Sequence, residues 1–249
     1  LTTAAAVGRS LRIYHAPGRR AVLDAFYARF LGADDLAFDV GCHVGDRAAS
    51  FLRLGARVVA VEPQQRLARA LRLIFRGEAN FALEEVLVGA TPGEAVLRLN
   101  TANPTVATAS EAFIQAAGGA PGWEGQVWDA TLVRPRTTLD ALIAKHGPPR
   151  FVKVDVEGYE AEVLMGLTRI PPALSFEFTT IQRGVALECL ARLHALGFRH
   201  FNACLGESMA YAFPAAVTAE EMGGWLAALP VEANSGDVYA ALDGDRLAA

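Results

Sequence analysis

Lysine is nearly missing from this chain. Lys145 and Lys153 are the only two among 23 basic residues, and the net charge is −4. Such a balance offers no basic surface to neutralise a phosphate backbone, so no nucleic-acid partner is expected. The densest arginine group, Arg9, Arg12, Arg19 and Arg20, reads as a solvated helical face. Long apolar runs are also missing. Hydrophobic residues reach 52%, but Arg, Glu or Pro interrupt them, so no membrane span is expected. The three cysteines, Cys42, Cys189 and Cys204, are an odd number without metal-ligand spacing, which excludes a disulfide framework and suits a reducing compartment. The opening Leu-Thr-Thr-Ala-Ala-Ala lacks the charged-then-apolar layout of a secretory signal. A cytoplasmic location is therefore the expectation. No Gly-Lys-Ser/Thr, no His-x-x-x-His and no Ser or Cys nucleophile elbow occurs, which argues against a P-loop, a zinc helix and an acyl-transfer enzyme.

What is present is an alternation of short apolar runs and amphipathic stretches. Strands are predicted at 36–40, 57–61, 81–88, 126–134, 151–155, 173–179, 198–202 and 237–242. Helices are predicted at 18–31, 46–54, 64–75, 137–146, 158–167, 183–196 and 218–229. In the first of these, Val22, Phe26 and Phe30 share a side, and Thr137 or Thr138 would cap the fourth. Nearly all-apolar strands between helices indicate a mainly parallel sheet covered on both faces. The expected organisation is one α/β domain over 1–249: an N-terminal helical cap to 35, a core over 36–242, and a β-strand/loop insertion at about 93–134. Within the insertion, 101–125 is rich in Thr, Ala, Gly and Pro, and a loop of that length is usually functional or disordered. Right-handed crossovers place Asp39, Glu62, Asp155 and Glu177, all at strand ends, along one edge.

The segment Asp39-Val-Gly-Cys-His-Val-Gly45 follows the first strand, and Glu62 ends the second. A pyrophosphate needs Gly-x-Gly-x-x-Gly. Counting from Gly41, the second and third glycine positions hold His43, which would crowd the phosphates, and Asp46, which would repel them. The loop instead suits S-adenosylmethionine, which carries a sulfonium and no phosphate. Gly41 would let the backbone approach the methionyl part, and Gly45 would permit the turn into the helix. Glu62 is placed for both ribose hydroxyls, and Asp39 either meets the ammonium or braces the loop. His43 touches ligand or fills space, and Val88, closing the third strand, completes the expected cofactor-binding set.

Two further segments concentrate charge in apolar surroundings. In Phe151-Val-Lys-Val-Asp155, Lys153 and Asp155 share one side of a strand. Glu157 and Glu160 would fall in the first turn of the next helix, where carboxylates favour the dipole. Glu177 is a lone carboxylate between Phe176 and Phe178, and its burial requires a partner: Lys153, a metal or the substrate.

Together, Asp39-Val-Gly-Cys-His-Val-Gly45, Glu62-Pro63, Thr138-Leu-Asp140, Lys153-Val-Asp-Val-Glu-Gly-Tyr-Glu160 and Glu177 resemble the FkbM family of S-adenosylmethionine-dependent methyltransferases. The similarity spans about 36–200. It implies a seven-stranded class I methyltransferase fold, cofactor contacts at Asp39, Gly41, Gly45 and Glu62, and O-methylation of hydroxyls on sugars or polyketide-like natural products. His43 departs from the family, where Asn is usual. The expected catalytic set is Asp155, as base or metal ligand, with Lys153 and Glu177. Asp155 and Glu177 also resemble in placement the divalent-metal carboxylates of catechol-type O-methyltransferases. The reading without metal is preferred, because a Lys153 ammonium would satisfy the same acids. Asn103, Thr105, Thr108 and Ser110 are the expected acceptor-binding flap for a small hydroxylated molecule. The alternative function is a non-catalytic S-adenosylmethionine- or nucleoside-binding protein of the same fold. Apolar residues near Trp225 and Leu229 suit the core better than a homodimer interface.

Overall fold

The computed structural model describes residues 3–248. Helices α1 (Thr3–Tyr14) and α2 (Pro17–Tyr27) lead into β1 (Leu36–Val40), α3 (Asp46–Arg53), β2 (Arg57–Val61), α4 (Gln65–Ile74) and β3 (Phe81–Glu84). Then come β4 (Leu87–Val88), β5 (Gly93–Leu99), α5 (Glu111–Ala117), β6 (Ala130–Thr137) and α6 (Leu139–His146). The chain closes with β7 (Phe151–Val154), α7 (Glu160–Met165), β8 (Ala173–Thr179), α8 (Arg183–Ala195), β9 (His200–Leu205), α9 (Ala219–Ala228) and β10 (Ser235–Ala241). No helix among the described residues is long and apolar enough to cross a membrane.

Seven strands form the main sheet in the order β3-β2-β1-β7-β8-β10-β9. All neighbours pair in parallel except β10, which runs antiparallel to both β8 and β9. This is the mainly parallel, two-sided sheet that the sequence pattern predicts, in the Rossmann-like class I methyltransferase architecture that the family resemblance implies. From β1 the chain works outward through β2 and β3, then returns beside β1 as β7 and works outward the other way. A ligand crevice belongs at that reversal, beyond the carboxyl ends of β1 and β7.

The sheet is buried on both faces because its central strands alternate two apolar sets. Phe38, Val40, Val152, Val154, Leu174 and Phe176 pack towards Leu142, Val163 and Leu193. Ala37, Val58, Ala60, Phe151 and Tyr239 pack towards Phe26, Tyr27, Phe51 and Leu71. Trp225 meets Phe178 and Phe213 edge-on, and Leu229 packs on the first of these clusters, so both serve the core as expected.

Several boundaries differ from the sequence pattern. The run 81–88 is two strands: Phe81–Glu84 extends the main sheet, while Leu87 and Val88 pair with Arg136 and Thr137 in a separate sheet of order β4-β6-β5. The break falls just after Glu84, whose side chain is held by Lys145 and His146. Val22 is 49% exposed, and α2 buries Leu23, Phe26 and Tyr27 instead. The 101–125 stretch is not structureless. Ser110 caps α5, and Val106, Phe113, Ala117 and Trp123 form a small core of their own. Seven helical residues are too few for a periodic signal. Helix α7 starts at Glu160, so Glu157 lies in the preceding loop at φ 56° rather than in a first turn.

Candidate functional site

The loop after β1 is fastened from three directions. The Gly41 and Cys42 amides donate to the Val61 carbonyl, at 2.9 and 3.1 Å. The Ala48 amide, in the first turns of α3, donates to Asp39 Oδ2 at 3.1 Å. The His43 amide donates to Glu62 Oε2 at 3.1 Å, and the Gln64 amide to Glu62 Oε1 at 2.8 Å. Gly41 adopts φ +81°, and a Cβ there would lie 1.7 Å from the Asp155 carbonyl oxygen. Asp39 thus braces the loop, one of the two roles expected for it. Gly41 is needed first for the close approach of the β1 and β7 ends.

Beyond these strand ends lies a cleft of about 960 Å³ including its open mouth. Asp39, Gly41, His43, Glu62 and Val88 line it, as do Lys153, Asp155 and Glu177. Gly45 is not among the lining residues. It starts α3 at φ +75°, where a Cβ would meet Leu71 and Phe75. Val86, Leu87, Leu97 and Ala107 supply an apolar wall. Tyr14, Arg47 and Glu207 also line the cleft, and sequence reasoning missed all three. Arg47 pairs with Asp46 at 2.6 Å and with Glu207, which also takes Arg19 at 2.7 Å. His43 sits edge-on to the Tyr14 ring and 3.5 Å from Thr105 Oγ1. Burial pushes its pKa down to about 4, so the imidazole is neutral near pH 7.

Of the three partners open to Glu177, Lys153 is not the one it meets among the described residues. Lys153 Nζ donates to Asp155 Oδ2 at 2.6 Å and stands 3.5 Å from Asp237 Oδ1. Asp237 is the antiparallel partner of Glu177 across β8 and β10, and only that pairing brings it here. Burial disfavours the Lys153 charge, yet Asp155 and Asp237 outweigh it and hold the ammonium well above its ordinary range. Burial likewise opposes the Asp155 charge, but Lys153 holds that carboxyl below its ordinary range. Glu177 and Glu157 are pushed well up, by burial and then by Asp155. One oxygen from each of Asp155, Glu157 and Glu177 lies within 4.8 Å of the others. Glu160 does cap: its Oε1 accepts from the Val156 and Gly158 amides, at 3.1 Å each.

Of the four expected flap residues, only Thr105 reaches the cleft, beside Pro104. Thr108 Oγ1 donates to the Glu157 carbonyl at 2.6 Å, Ser110 caps α5, and the Asn103 side chain donates to Gln126. Their polar groups are consumed in holding the segment's shape.

Burial raises Asp39 to about 7, against Lys153, and raises Glu62 to about 8, against the Gln64 and His43 amides. The folded state then holds protons that the unfolded chain has released above about pH 4.5. Stability from these groups is full below that pH and is lost as pH rises through 7 and 8. The ligand-free protein should melt roughly 5–10 °C lower at pH 8.5 than at pH 5.5. A flat melting profile over this window would contradict the protonated carboxyls.

The model of the methyltransferase FkbM domain matches residues 39–199, which takes in the loop after β1, the Lys153–Glu160 segment and Glu177. Comparison with curated proteins returns no match. Solved structures similar to the chain include a precorrin-6y C5,15-methyltransferase from Geobacter metallireducens GS-15, at 13% identity, TM-score 0.45, and 89% and 86% coverage of this chain and that one. An rRNA methylase from Streptococcus thermophilus matches at 12% identity, TM-score 0.45, and 88% and 92% coverage. Aeropyrum pernix fibrillarin, solved with natively bound S-adenosyl-L-methionine, matches at 11% identity, TM-score 0.41, and 85% and 68% coverage. Similarities at this level carry no functional argument by themselves. The domain match covers well over half of the chain and coincides with the residues that build the cleft: the chain belongs to the FkbM methyltransferase family, and it is an S-adenosylmethionine-dependent methyltransferase.

Proposed function

We propose that the protein methylates a hydroxyl on a sugar or natural-product small molecule. The observation that carries this reading is the position of Asp155. Its backbone touches the cofactor loop at Gly41, while its side chain, 31% exposed and held ionised by Lys153, faces the cleft. One residue therefore joins the donor and acceptor ends.

The cleft suits the cofactor chemically. Besides the acids that burial pushes up, Asp46, Asp155 and Glu207 outnumber Lys153 and Arg47, the cations lining the cleft, which favours a ligand bearing sulfonium and ammonium charges over a pyrophosphate. Asp39, Gly41, His43, Glu62 and Val88 would hold it. Each Glu62 oxygen accepts one backbone amide and keeps a lone pair for a ribose hydroxyl. When bound, S-adenosylmethionine supplies the methyl group on a sulfonium. Asp155 then accepts the hydrogen bond of the acceptor hydroxyl, aligns its oxygen and takes the proton. The proton becomes strongly acidic as the oxygen gains a substituent, so a carboxylate of lowered pKa suffices.

Calorimetric titration with S-adenosylmethionine, followed by mass-spectrometric assay on a panel of hydroxylated glycosides, tests this reading. Asp155→Asn should keep cofactor affinity within about twofold and lower turnover by about 10²–10⁴. Unchanged turnover would remove Asp155 from that role. Cofactor binding without methylation of any hydroxyl would favour the non-catalytic alternative.

A further inference from the structure

We propose that Asp155, Glu157 and Glu177 form a binding site for a hard divalent cation, of the magnesium or calcium kind, in the wall of the cleft. The three carboxylates come from the end of β7, the loop after it and the middle of β8. One oxygen of each lies within 4.8 Å of the other two. Oxygen ligands around such ions stand about 2.1–2.5 Å from the metal, so opposite ligands are about 4–5 Å apart. The cluster already has that size.

A group of acids alone proves little, and the partners of these acids decide the matter. Glu157 is 8% exposed, yet its carboxylate has no hydrogen bond or ion pair among the described residues, and it lines the cleft. Glu177 Oε2 is buried and likewise has no hydrogen-bond partner. The nearby cations are engaged elsewhere. Lys153 bonds Asp155 Oδ2 and faces Asp237, and Arg47 is held by Asp46 and Glu207. Lys153 can neutralise Asp155, to which Glu177 is joined by a side-chain hydrogen bond, which leaves Glu157 and the unpartnered Oε2 of Glu177 without a counter-charge. Burying charge without a partner is costly, so either a proton or a cation must occupy the space between them. The donor set is all oxygen, with no His or Cys, which selects hard cations over zinc. Because the cleft is open, an ion reaches the site from solvent, whereas a structural carboxyl pair needs no such access.

The site lies in the cleft read above as the acceptor end, but its existence does not depend on which acceptor is methylated. Electron paramagnetic resonance of Mn²⁺ titrated into the full, cofactor-free chain tests it directly. One saturable site with a dissociation constant below about 1 mM is expected, displaced by Mg²⁺ or Ca²⁺. Glu157→Gln and Glu177→Gln should each weaken it at least tenfold. Glu207→Gln, another cleft acid outside the triad, should change it less than twofold. Thermal melting is the second readout: 10 mM Mg²⁺ should raise the melting temperature of the native chain and leave that of Glu157→Gln unmoved. The metal-free Glu157→Gln protein should melt no lower than the native one, since the change removes an unpaired buried acid and keeps the shape. Absence of a saturable Mn²⁺ site would overturn the proposal in favour of a proton shared between the acids. Equal Mn²⁺ affinity in the native chain and both triad variants would overturn it as well. Neither result would touch the assignment of cofactor or reaction.

Discussion

Gly41→Ala should leave little or no folded protein. The added Cβ would lie 1.7 Å from the Asp155 carbonyl oxygen and 2.8 Å from its carbonyl carbon, and both are backbone atoms that cannot rotate aside. The Asp155 amide donates to the Val40 carbonyl at 2.9 Å, so the two strand ends are tied where the methyl group would have to fit. Relief requires parting β1 from β7 at the centre of the sheet. The backbone conformation adds its own cost, because φ is +81°. Two other glycines separate these terms. Gly77 has φ +83° and nothing within 4 Å of a Cβ, so Gly77→Ala measures the conformational cost alone, about 1–2 kcal/mol. Gly45 has φ +75°, and its Cβ would meet the ends of the Phe75 and Leu71 side chains at 2.7 and 2.8 Å. Those ends can shift, so Gly45→Ala should cost about 2–4 kcal/mol. Gly41→Ala should exceed about 4 kcal/mol, a large share of the stability of any domain. Urea denaturation of the three variants gives the ranking. A Gly41→Ala protein as stable as Gly77→Ala would mean that the strand ends are not in contact.

The same contact shows how far a sequence reaches towards a site. Asp39, Glu62, Asp155 and Glu177 were legible because each follows or interrupts an apolar run, and parallel strands all end on one edge. The pyrophosphate was excluded by His43 and Asp46 alone, with no coordinates. Asp237 was not legible. It opens an apolar run like many surface acids, and only the antiparallel return of β10 sets it opposite Glu177. Which of its possible partners Glu177 meets was hidden for the same reason: the lysine found an acid from a strand whose direction the sequence does not state. Tyr14 and Glu207 reach the cleft from segments separated from the cofactor loop by long stretches of chain. Their local patterns carry no trace of it. The flap was half legible. The length of 101–125 marked it, but its hydroxyls had to be seen in place before Thr108 and Ser110 could be assigned to the loop's own architecture and Thr105 to the cleft. Periodicity reports which face of an element is buried, whereas partner identity depends on how distant elements are arranged.

Lys153→Met is the substitution that tests the charge arrangement behind the proposed chemistry. The side chain is 2% exposed, with Asp155 at 2.6 Å and Asp237 at 3.5 Å. Methionine fills most of the volume, so the loss is mainly electrostatic: buried Asp237 and partly buried Asp155 are left without their cation, at a cost of about 3 kcal/mol. Lys153→Met combined with Asp237→Asn should regain part of this, because one of the stranded charges is then removed. The effect must also depend on pH. Without the ammonium, the Asp155 carboxyl is no longer held below its ordinary range and Asp237, already raised by burial, rises further, so the variant binds more protons on folding. Its deficit relative to the native chain should therefore be smallest near pH 5 and grow towards pH 8. Turnover should fall further than cofactor affinity, since the loop bonds of Glu62 and Asp39 do not involve Lys153, whereas the orientation of Asp155 does. A double variant no more stable than the single one, or a loss independent of pH, would show that Lys153 acts there as an apolar stem. Recovery in the double variant with turnover still lost would make Lys153 the residue that positions Asp155, because stability and transfer would then have been separated at one side chain.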